Sequence, residues 1–304
     1  MMRKRLEDSA RRAAVRLEAS RIPTEMVLRR RESPTSASAK WLGRLQRFRT
    51  TVVPWMASSA PLEASRILEV GAGEGSSTAA LVEQGANVTA IDIASMDEAA
   101  NLLAEMGLSA EFEQCNAAEL ARIAERRGYE RIVFWASLHH MTIEERIPAI
   151  REAWACLAPG GLLTVVETPN RLWPFDSHTS LLPFFSWLPY ELGYRYSTRS
   201  PRPGFGDRYT HRTKYELEDF RRRGHGVSFH EFDLALGDHQ TLEVESCMQH
   251  YWRKRNRARG LGWVMSQAGR TERVLAGYSP KSHRAWFQPF LYLSLRKTAA
   301  QVAR

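Results

Sequence analysis

Arg66-Ile-Leu-Glu-Val-Gly-Ala-Gly-Glu-Gly-Ser76 is the stretch that decides the fold of this chain. Its first half is short and apolar apart from Glu69, and it predicts a buried strand. Three glycines follow at alternate positions, and glycine lets the backbone take positive φ and lets a ligand approach without a Cβ in the way. The helix expected next offers unpaired N–H groups to that ligand. The stretch therefore predicts a strand, a turn and a helix that bind a nucleotide-like ligand.

Turns of this kind occur in two forms that differ in their ligands. The dinucleotide form, G-x-G-x-x-G/A, binds a pyrophosphate at the helix N-terminus. The second form has G-x-G-x-G and an acidic residue two positions before it, as Glu69 precedes Gly71, Gly73 and Gly75 here. A carboxylate would repel a pyrophosphate but suits a cationic amino group. This form resembles motif I of class I S-adenosylmethionine (SAM) methyltransferases, which implies that these four residues bind SAM. A turn that binds nothing is the alternative.

The second predicted strand, residues 87–91, ends next to a carboxylate that fits an adenosine. Asp92 lies 21 positions after Gly71, where the ribose hydroxyls are expected in either form of the turn. Ile93 follows and is expected to cover a face of the adenine. We therefore expect Asp92 and Ile93 to bind the cofactor.

The third predicted strand, residues 110–114, leads to Asn116 and Ala117. The resembled family often has Asp at the position of Asn116, where it accepts from the adenine amino group, and an asparagine oxygen can also accept. The alternative for Asn116 is the N-cap of a helix over residues 117–126. The resemblance also places Ala117 and Ala136, at the end of the fourth strand, beside the cofactor.

The remaining order of elements extends the resemblance to residues 66–168. A fourth strand over 131–136, a helix over 142–157 and a fifth strand over 162–167 give alternating β and α segments, which predict a parallel sheet. Leu-His-His after strand four and Pro-Gly-Gly before strand five recur in small-molecule members of the family. The resemblance implies an α/β, Rossmann-like, seven-stranded, mostly parallel sheet with an antiparallel last strand and helices on both faces.

The domain organisation follows from these segments. We expect a basic arm over 1–55 and a methyltransferase domain over 56–298, with a SAM-binding half over 66–168, a substrate lid over 169–212 and a helical insertion over 237–280. Composition predicts a linker over 32–39, a loop over 190–209, a helix over 213–223, a sixth strand over 227–234, helices over 242–259 and 263–275, and a last strand over 287–295.

The charge of the chain is concentrated in its first 50 residues. These hold 14 Lys or Arg and 5 Asp or Glu, which accounts for the net charge of +9. The pattern over residues 3–20 predicts a helix, and a second amphipathic segment, Trp41 to Phe48, follows. Three interpretations are open: packing over the SAM site, which we favour, peripheral contact with an anionic membrane, and nucleic-acid binding, which is the least favoured because no RNA-binding module accompanies the arm.

The cysteine spacing and the apolar segments of the sequence limit which class of protein it can be. The three cysteines have no spacing typical of a metal site or a disulfide framework, so we expect no metal. The sequence has no apolar run of 18 residues and no apolar segment of a signal peptide near its start. These features predict a cytoplasmic protein.

The segment 168–189 contains four prolines and five large aromatic residues. It is too rich in proline for one helix and too apolar for a disordered linker. It follows a sheet strand, where open α/β sheets bind ligands, and we interpret it as a lid with an aromatic wall that includes Phe175, Phe184 and Phe185. The alternatives are a hydrophobic cluster under a loop and local turn bonding by Asp176 and His178. The substrate-binding candidates are Asn170, Arg171, Trp173, Asp176 and Trp187.

Three histidines are candidates for a general base. SAM carries an activated methyl group, and a hydroxyl acceptor benefits from a base that removes its proton. His139, His140 and His178 titrate near neutrality, and His140 lies where the loop after strand four faces the methyl group in related folds. The sequence thus predicts a SAM-dependent methyltransferase for a small or medium organic acceptor, such as a hydroxyl of a glycan, glycolipid or natural-product intermediate. A SAM-binding regulatory protein and an NAD-dependent oxidoreductase are the alternatives.

Overall fold

A computed structural model of the chain describes residues 36–120, 128–251 and 262–298. The predicted helix over 3–20, the later part of the predicted helix over 117–126, and the end of the predicted helix over 242–259 lie outside these ranges. Within them, no helix is long and apolar enough to cross a membrane.

The described elements alternate between helices and strands along most of the chain. The helices are α1 (Ser36–Arg47), α2 (Val53–Ser59), α3 (Ser76–Val82), α4 (Asp97–Glu105), α5 (Ile143–Cys156), α6 (Tyr190–Ser197), α7 (Lys214–Arg221), α8 (Phe229–Leu236) and α9 (Gly262–Tyr278). The strands are β1 (Arg66–Val70), β2 (Asn87–Asp92), β3 (Glu111–Gln114), β4 (Tyr129–Trp135), β5 (Leu157–Pro169), β6 (Glu243–Cys247) and β7 (Phe290–Arg296).

The described strands form one mixed sheet of seven strands in the order β3-β2-β1-β4-β5-β7-β6. β1 is parallel to β2, with Arg66 opposite Asn87, and it is parallel to β4, with Ile67 opposite Arg131. β2 and β3 are also parallel, whereas β6 and β7 are antiparallel. This is the predicted Rossmann-like fold class, which is confirmed.

The chain divides into two compact units, neither of which is continuous in sequence. Among the described residues, the first contains those from Ser36 to Trp135, Ala155–Leu163, and residues 297 and 298. The second contains Ala136–Trp154 and Thr164–Arg296.

In the first unit, the strand, glycine turn and helix predicted from residues 66–76 are confirmed. β1 is buried from Ile67 to Val70, and α3 begins directly after Gly75. Gly75 has φ of 76°, and a Cβ there would lie 2.8 Å from the Cβ of Ala99 in α4. Only glycine fits both this backbone conformation and this close approach.

The segment before β1 also packs in the first unit. α1 begins at Ser36, so the linker predicted over 32–39 is wrong for its last four residues. A short π-helix, Phe48–Val52, continues α1, and the Phe48 ring lies 4.5 Å from that of Trp135. Arg49 is hydrogen-bonded and ion-paired to the buried Glu83 just after α3. The buried side chains from Trp41 to Ser59 thus belong to the packing of the first unit, and packing over the SAM site stays a prediction.

In the second unit, two predicted elements are wrong. The loop predicted over 190–209 contains α6 and a 3-10 turn, Gly206–Arg208. The strand predicted over 227–234 is helix α8, because Ser228 and Glu231 form a capping box that starts a helix. The helix over 213–223 is confirmed as α7, with Thr213 accepting from the backbone N–H of Glu216.

The strands of the second half of the sheet also differ from the prediction. The residues from 243 to 247, predicted as helix, form β6, which pairs with β7. β5 begins at Leu157 and includes the Pro-Gly-Gly segment that we expected to precede it. β7 begins at 290 because residues 284–287 form a 3-10 turn, and α9 confirms the helix predicted over 263–275.

Candidate functional site

The glycine turn in the first unit lies at the carboxyl ends of β1 and β2. The amides of Gly71 and Ala72 donate to the carbonyl of Ile91 at 2.8 and 3.1 Å. Gly71, Gly73 and Gly75 all have positive φ, between 53° and 82°. The turn therefore takes a conformation that exposes backbone rather than side chains, as a site for a nucleotide-like group requires.

Asp92 links the end of β2 to this turn. Its Oδ2 accepts from the amide of Gly73 at 2.9 Å, and its Oδ1 accepts from the amide of Ala94 at 3.0 Å. The carboxylate is only half-buried. Ile93, beside it, is 66% exposed, which is high for a side chain of its size. The carboxylate and the exposed apolar side chain expected to bind an adenosine thus stand next to each other.

Glu69 is buried completely beneath the turn. Its Oε2 accepts from the Thr78 hydroxyl of α3 at 2.7 Å, whereas its Oε1 has no hydrogen-bond partner in the described part of the chain. Burial raises the pKa of Glu69, the hydroxyls of Ser77 and Thr78 oppose the rise, and the nearby Asp92 charge adds to it. A buried carboxylate oxygen without a partner is costly, and a ligand ammonium group would satisfy it. The residues of the turn therefore fit SAM.

The other two cofactor candidates of the first unit lie after β3. Asn116 uses its Oδ1 to accept from the amide of Ala118 at 3.0 Å, which is the capping role, and the 3-10 turn it caps begins at the buried Ala117. The last candidate, Ala136, belongs to the second unit, has φ of 50°, and donates its amide to Val166.

Trp41 of α1 is a contact of the glycine turn that the sequence reasoning missed. Its indole N–H donates to the carbonyl of Glu74 at 2.8 Å, and Arg44 pairs with the Glu74 carboxylate at 2.8 Å. The indole ring is buried, so the contact is well shielded. The only sequence signal was the amphipathic segment that contains this residue. α1 therefore holds the turn that the sequence assigns to the cofactor.

In the second unit, the three predicted histidines lie together. The ring centres of His139 and His140 are 4.2 Å apart, and those of His139 and His178 are 4.7 Å apart. His139 is buried, and its Nδ1 has no hydrogen-bond partner among the described residues. Burial, together with the charges of His140, His178 and Arg146, holds the pKa of His139 well below its usual value. Burial also lowers the pKa of His178, so both rings are neutral at pH 7.

His140 is exposed and has a defined tautomer. Its Nδ1 lies 3.2 Å from the carbonyl oxygen of Arg222, which can only accept a hydrogen bond. Nδ1 therefore carries the proton in the neutral ring, and Nε2 is the basic nitrogen. Arg222 is held in turn by a bidentate pair with Glu145, with both N–O distances at 2.6 Å. The arrangement orients a histidine as a general base needs.

Arg146 fixes the loop that carries these histidines, and the sequence reasoning missed it. The side chain is buried on α5, and its guanidinium makes five hydrogen bonds of 2.8–3.2 Å. The acceptors are the carbonyls of Leu138, Met141, His225 and Gly226 and the carboxylate of Glu231. No local sequence signal indicates these partners, since three of them lie about 80 residues away along the chain.

The predicted substrate residues fall into two groups. Asn170 and Asp176 are buried and bound to the protein itself: the Asn170 amide donates to the carbonyls of Trp286 and Gln288, and Asp176 accepts from the amides of residues 178–180. The second group reaches the surface. Trp187 is 50% exposed, Arg171 is half-buried, and Trp173, also half-buried, donates its indole N–H to the carbonyl of Phe287.

The residues predicted to form the aromatic wall differ in their exposure to solvent. Phe175, Phe184 and Trp187 are exposed, and the rings of Phe184 and Trp187 lie 5.0 Å apart. Phe185 is buried and packs into a cluster below the loop, so its place in the wall is corrected. The cluster contains Leu182, Phe185, Tyr194, Phe205, Tyr209 and Phe220.

One group of side chains in the described ranges has a spacing that could suit a metal ion, namely Asp233, Asp238 and His239. Its atoms already bind one another and the protein. His239 Nδ1 lies 2.8 Å from the Asp233 carboxylate, and its Nε2 lies 2.6 Å from the Ser282 hydroxyl. These bonds account for the group without a metal.

Comparisons with known proteins agree with the geometry of the turn. Residues 67–161 match the family model described as a methyltransferase domain. No curated protein matches the sequence.

Three solved structures are among those to which the chain is similar. Magnesium protoporphyrin IX methyltransferase from Synechocystis PCC 6803, with bound SAH, is 22% identical; the match covers 45% of this chain and 62% of that one, with a TM-score of 0.37. An O-methyltransferase family protein from Burkholderia thailandensis is 19% identical, over 46% and 45% of the two chains, with a TM-score of 0.36. The PH0226 protein from Pyrococcus horikoshii OT3 is 19% identical, over 43% and 55%, with a TM-score of 0.37. The chain spans less than two thirds of each of these proteins, and likeness of this degree carries no information about an acceptor.

Proposed function

We propose that this chain, whose residues 67–161 match a methyltransferase-domain model, is a SAM-dependent enzyme that transfers the methyl group to a hydroxyl of a small or medium organic acceptor. A glycan, a glycolipid or a natural-product intermediate is the class of acceptor we favour. The observation that carries the proposal is the 3.2 Å contact of His140 Nδ1 with the Arg222 carbonyl, from which we infer that Nε2 is the basic nitrogen.

The residues of the first unit would hold the cofactor. The Glu69 carboxylate would balance the ammonium group of the methionine part, Asp92 would accept from the ribose hydroxyls, and Ile93 would cover the adenine. The backbone of the glycine turn would border the ligand closely. SAM supplies an activated methyl group, so the protein has to align the acceptor and exclude water.

The histidines of the second unit would handle the proton of the acceptor. A hydroxyl is a poor nucleophile until a base removes its proton as the new bond forms. His140 Nε2 would take that proton, and the charge formed on the ring would be stabilised through Nδ1–H by the Arg222 carbonyl. His139 and His178 are neutral at pH 7, so they do not repel the imidazolium that forms.

Cofactor binding is tested first, by calorimetric titration of the full chain with SAM and with S-adenosylhomocysteine (SAH). We expect micromolar-scale binding, about −8 kcal/mol, that is strongly weakened in Asp92→Ala. The absence of binding to either ligand would contradict the role given to the turn.

Turnover is tested with a panel of hydroxyl-bearing acceptors, by measuring SAH release. His140→Ala should lower kcat by roughly 10²–10⁴-fold while SAM affinity stays unchanged, and His178→Ala should lower kcat as well. His211→Ala, which removes an exposed histidine of the same unit, is the matched control. Full activity of His140→Ala on a hydroxyl acceptor would refute the proposed base.

A further inference from the structure

The guanidinium of Arg171 is held by a hydrogen bond from its Nε, which leaves its two terminal nitrogens to donate to a ligand. Its backbone amide donates to the carbonyl of Val227 at 3.0 Å, and its Nε donates to the carbonyl of Ser186 at 3.1 Å. Within the described ranges, neither terminal nitrogen makes a hydrogen bond, and the guanidinium has no ion pair. A half-buried guanidinium held in this way presents a planar fork of donors, the geometry that carboxylates and phosphates match.

Tyr190, the first residue of α6, packs on the segment that binds the Arg171 backbone, since it contacts His225, two residues before Val227. Its ring packs edge-on against His225 at 4.9 Å, and the guanidinium carbon of Arg221 lies 5.9 Å from its ring centre. Its hydroxyl has no partner among the described residues. Burial raises the pKa of Tyr190, whereas the charges of Arg146, Arg171 and Arg221 oppose the rise. The hydroxyl therefore stays protonated at neutral pH and is available as a donor.

The charged side chains that act on Tyr190 have a net positive charge. Arg146 is already paired with Glu231 at 3.2 Å. Arg171 and Arg221 have no ion pair within the described part of the chain, and Glu144 is the carboxylate that acts on Tyr190 with the opposite sign. Arg171 and Arg221 thus outnumber the one carboxylate that acts on Tyr190, and Tyr190 begins a helix, where an anion is favoured.

An exposed apolar surface adjoins Arg171. Ser186, whose carbonyl binds Arg171, lies between Phe184 and Trp187, and both of these side chains are 50% exposed. Phe184 has φ of 56°, a conformation that costs a bulky residue free energy. The loop thus keeps a strained backbone at Phe184 while the rings of Phe184 and Trp187 remain exposed to solvent.

We propose that Arg171, Tyr190 and Arg221 form an anion subsite, and that the methyl acceptor carries a carboxylate or phosphate beside an apolar body. The anion binds the guanidinium fork of Arg171 and the hydroxyl of Tyr190, and the apolar body lies on Phe184 and Trp187. The inference rests on the proposed function, because it names the class of acceptor that the transferase uses.

The test uses the full chain saturated with SAH and three probes: inorganic phosphate, phenyl phosphate, and vesicles of phosphatidylglycerol with phosphatidylcholine vesicles as their neutral reference. We expect phenyl phosphate to bind more tightly than inorganic phosphate. Arg171→Gln should weaken binding by roughly tenfold or more, and Tyr190→Phe by roughly fivefold. Arg199→Ala, an exposed arginine of the same unit, should leave binding unchanged. Retained SAH affinity shows that each variant is folded.

The possible outcomes distinguish a failure of the anion subsite from a failure of the proposed methyl transfer. Binding of phenyl phosphate that depends on Arg171 supports a soluble acceptor, and Arg171-dependent binding of phosphatidylglycerol vesicles alone supports a lipid source of the same anion. Absence of binding to all probes, or equal loss in Arg199→Ala, would overturn the subsite. Methyl transfer to uncharged acceptors, unaffected by Arg171→Gln, would overturn it too and leave the transferase standing. Probe binding without turnover on any anionic or neutral hydroxyl acceptor would instead contradict the proposed function.

Discussion

Replacing Glu69 by Gln should separate the stability of the fold from its affinity for SAM. The Glu69 side chain is fully buried, with one oxygen on the Thr78 hydroxyl and the other without a partner in the described ranges. Glutamine has nearly the same shape and keeps an oxygen that can accept from Thr78. The substitution therefore removes the charge and little else.

The two effects have opposite signs. A hydrogen bond to a charged group contributes about 1.5–3 kcal/mol, so loss of the pair with the SAM ammonium should weaken binding by roughly 10- to 150-fold. The unliganded fold should lose no stability, because burial raises the pKa of Glu69 and the charged form is the costly one. That cost is present at neutral pH and disappears as the pH falls through the raised pKa. Wild type and variant should therefore converge in stability toward acid pH.

Calorimetry with SAM measures the loss, and urea unfolding of the unliganded proteins at several pH values measures the stability. The matched ligand control is 5′-methylthioadenosine, which keeps the adenosine and lacks the amino acid part. It should bind wild type and variant alike. Equal SAM affinity in the two proteins, or equal weakening of both ligands, would refute the reasoning.

Three further predictions concern contacts around the two units. Trp41→Phe removes the donor to the Glu74 carbonyl and should cost about 1 kcal/mol of stability and weaken SAM binding; unchanged SAM affinity in calorimetry would contradict the role of α1. Arg146→Met leaves Glu231 buried without its partner and should cost about 3–5 kcal/mol in urea unfolding; a loss below about 1 kcal/mol would contradict it. Burial lowers the pKa of His225 to about 4, and the unfolded state takes up its proton first, so stability should fall by about 3 kcal/mol between pH 7 and 4. This slope should flatten in His225→Gln, and parallel slopes would contradict the assignment.

Local patterns account for the elements that were predicted correctly. The strand, glycine turn and helix of residues 66–76 depend on apolar runs and on glycine conformations that each segment carries in itself. β6 was missed because it is a partly exposed strand at the edge of the sheet, and its pairing with β7, about 50 residues later, determines its structure. The signal for α8 is the capping box of Ser228 and Glu231, but the alternation of Val227 and Phe229 in the same segment favours a strand.

The candidate site also contains residues that local sequence patterns identify and residues that only distant contacts identify. The glycine turn and the histidines could be named from sequence, because residue type and position after a strand suffice. The buried contacts of the site could not be predicted from the sequence. Arg146 binds carbonyls that any residue could supply, and Phe185 differs from its exposed neighbour Phe184 only in which side of the loop it faces. Such choices depend on packing between distant parts of the chain.

The discontinuity of the first unit has a consequence for synthesis on the ribosome. Lys297 completes that unit: its backbone exchanges hydrogen bonds with Gly160 and Gly161, and its Nζ donates to the carbonyl of Leu157 at 2.9 Å. Residues 66–135, which carry the cofactor turn, are translated long before this closing residue. The start of β5 must therefore wait for these bonds while the roughly 135 residues between Gly161 and Lys297 are made, at roughly 5–20 residues per second. During that interval of about seven to thirty seconds, most of the first unit has been synthesised but lacks the contacts that Lys297 makes.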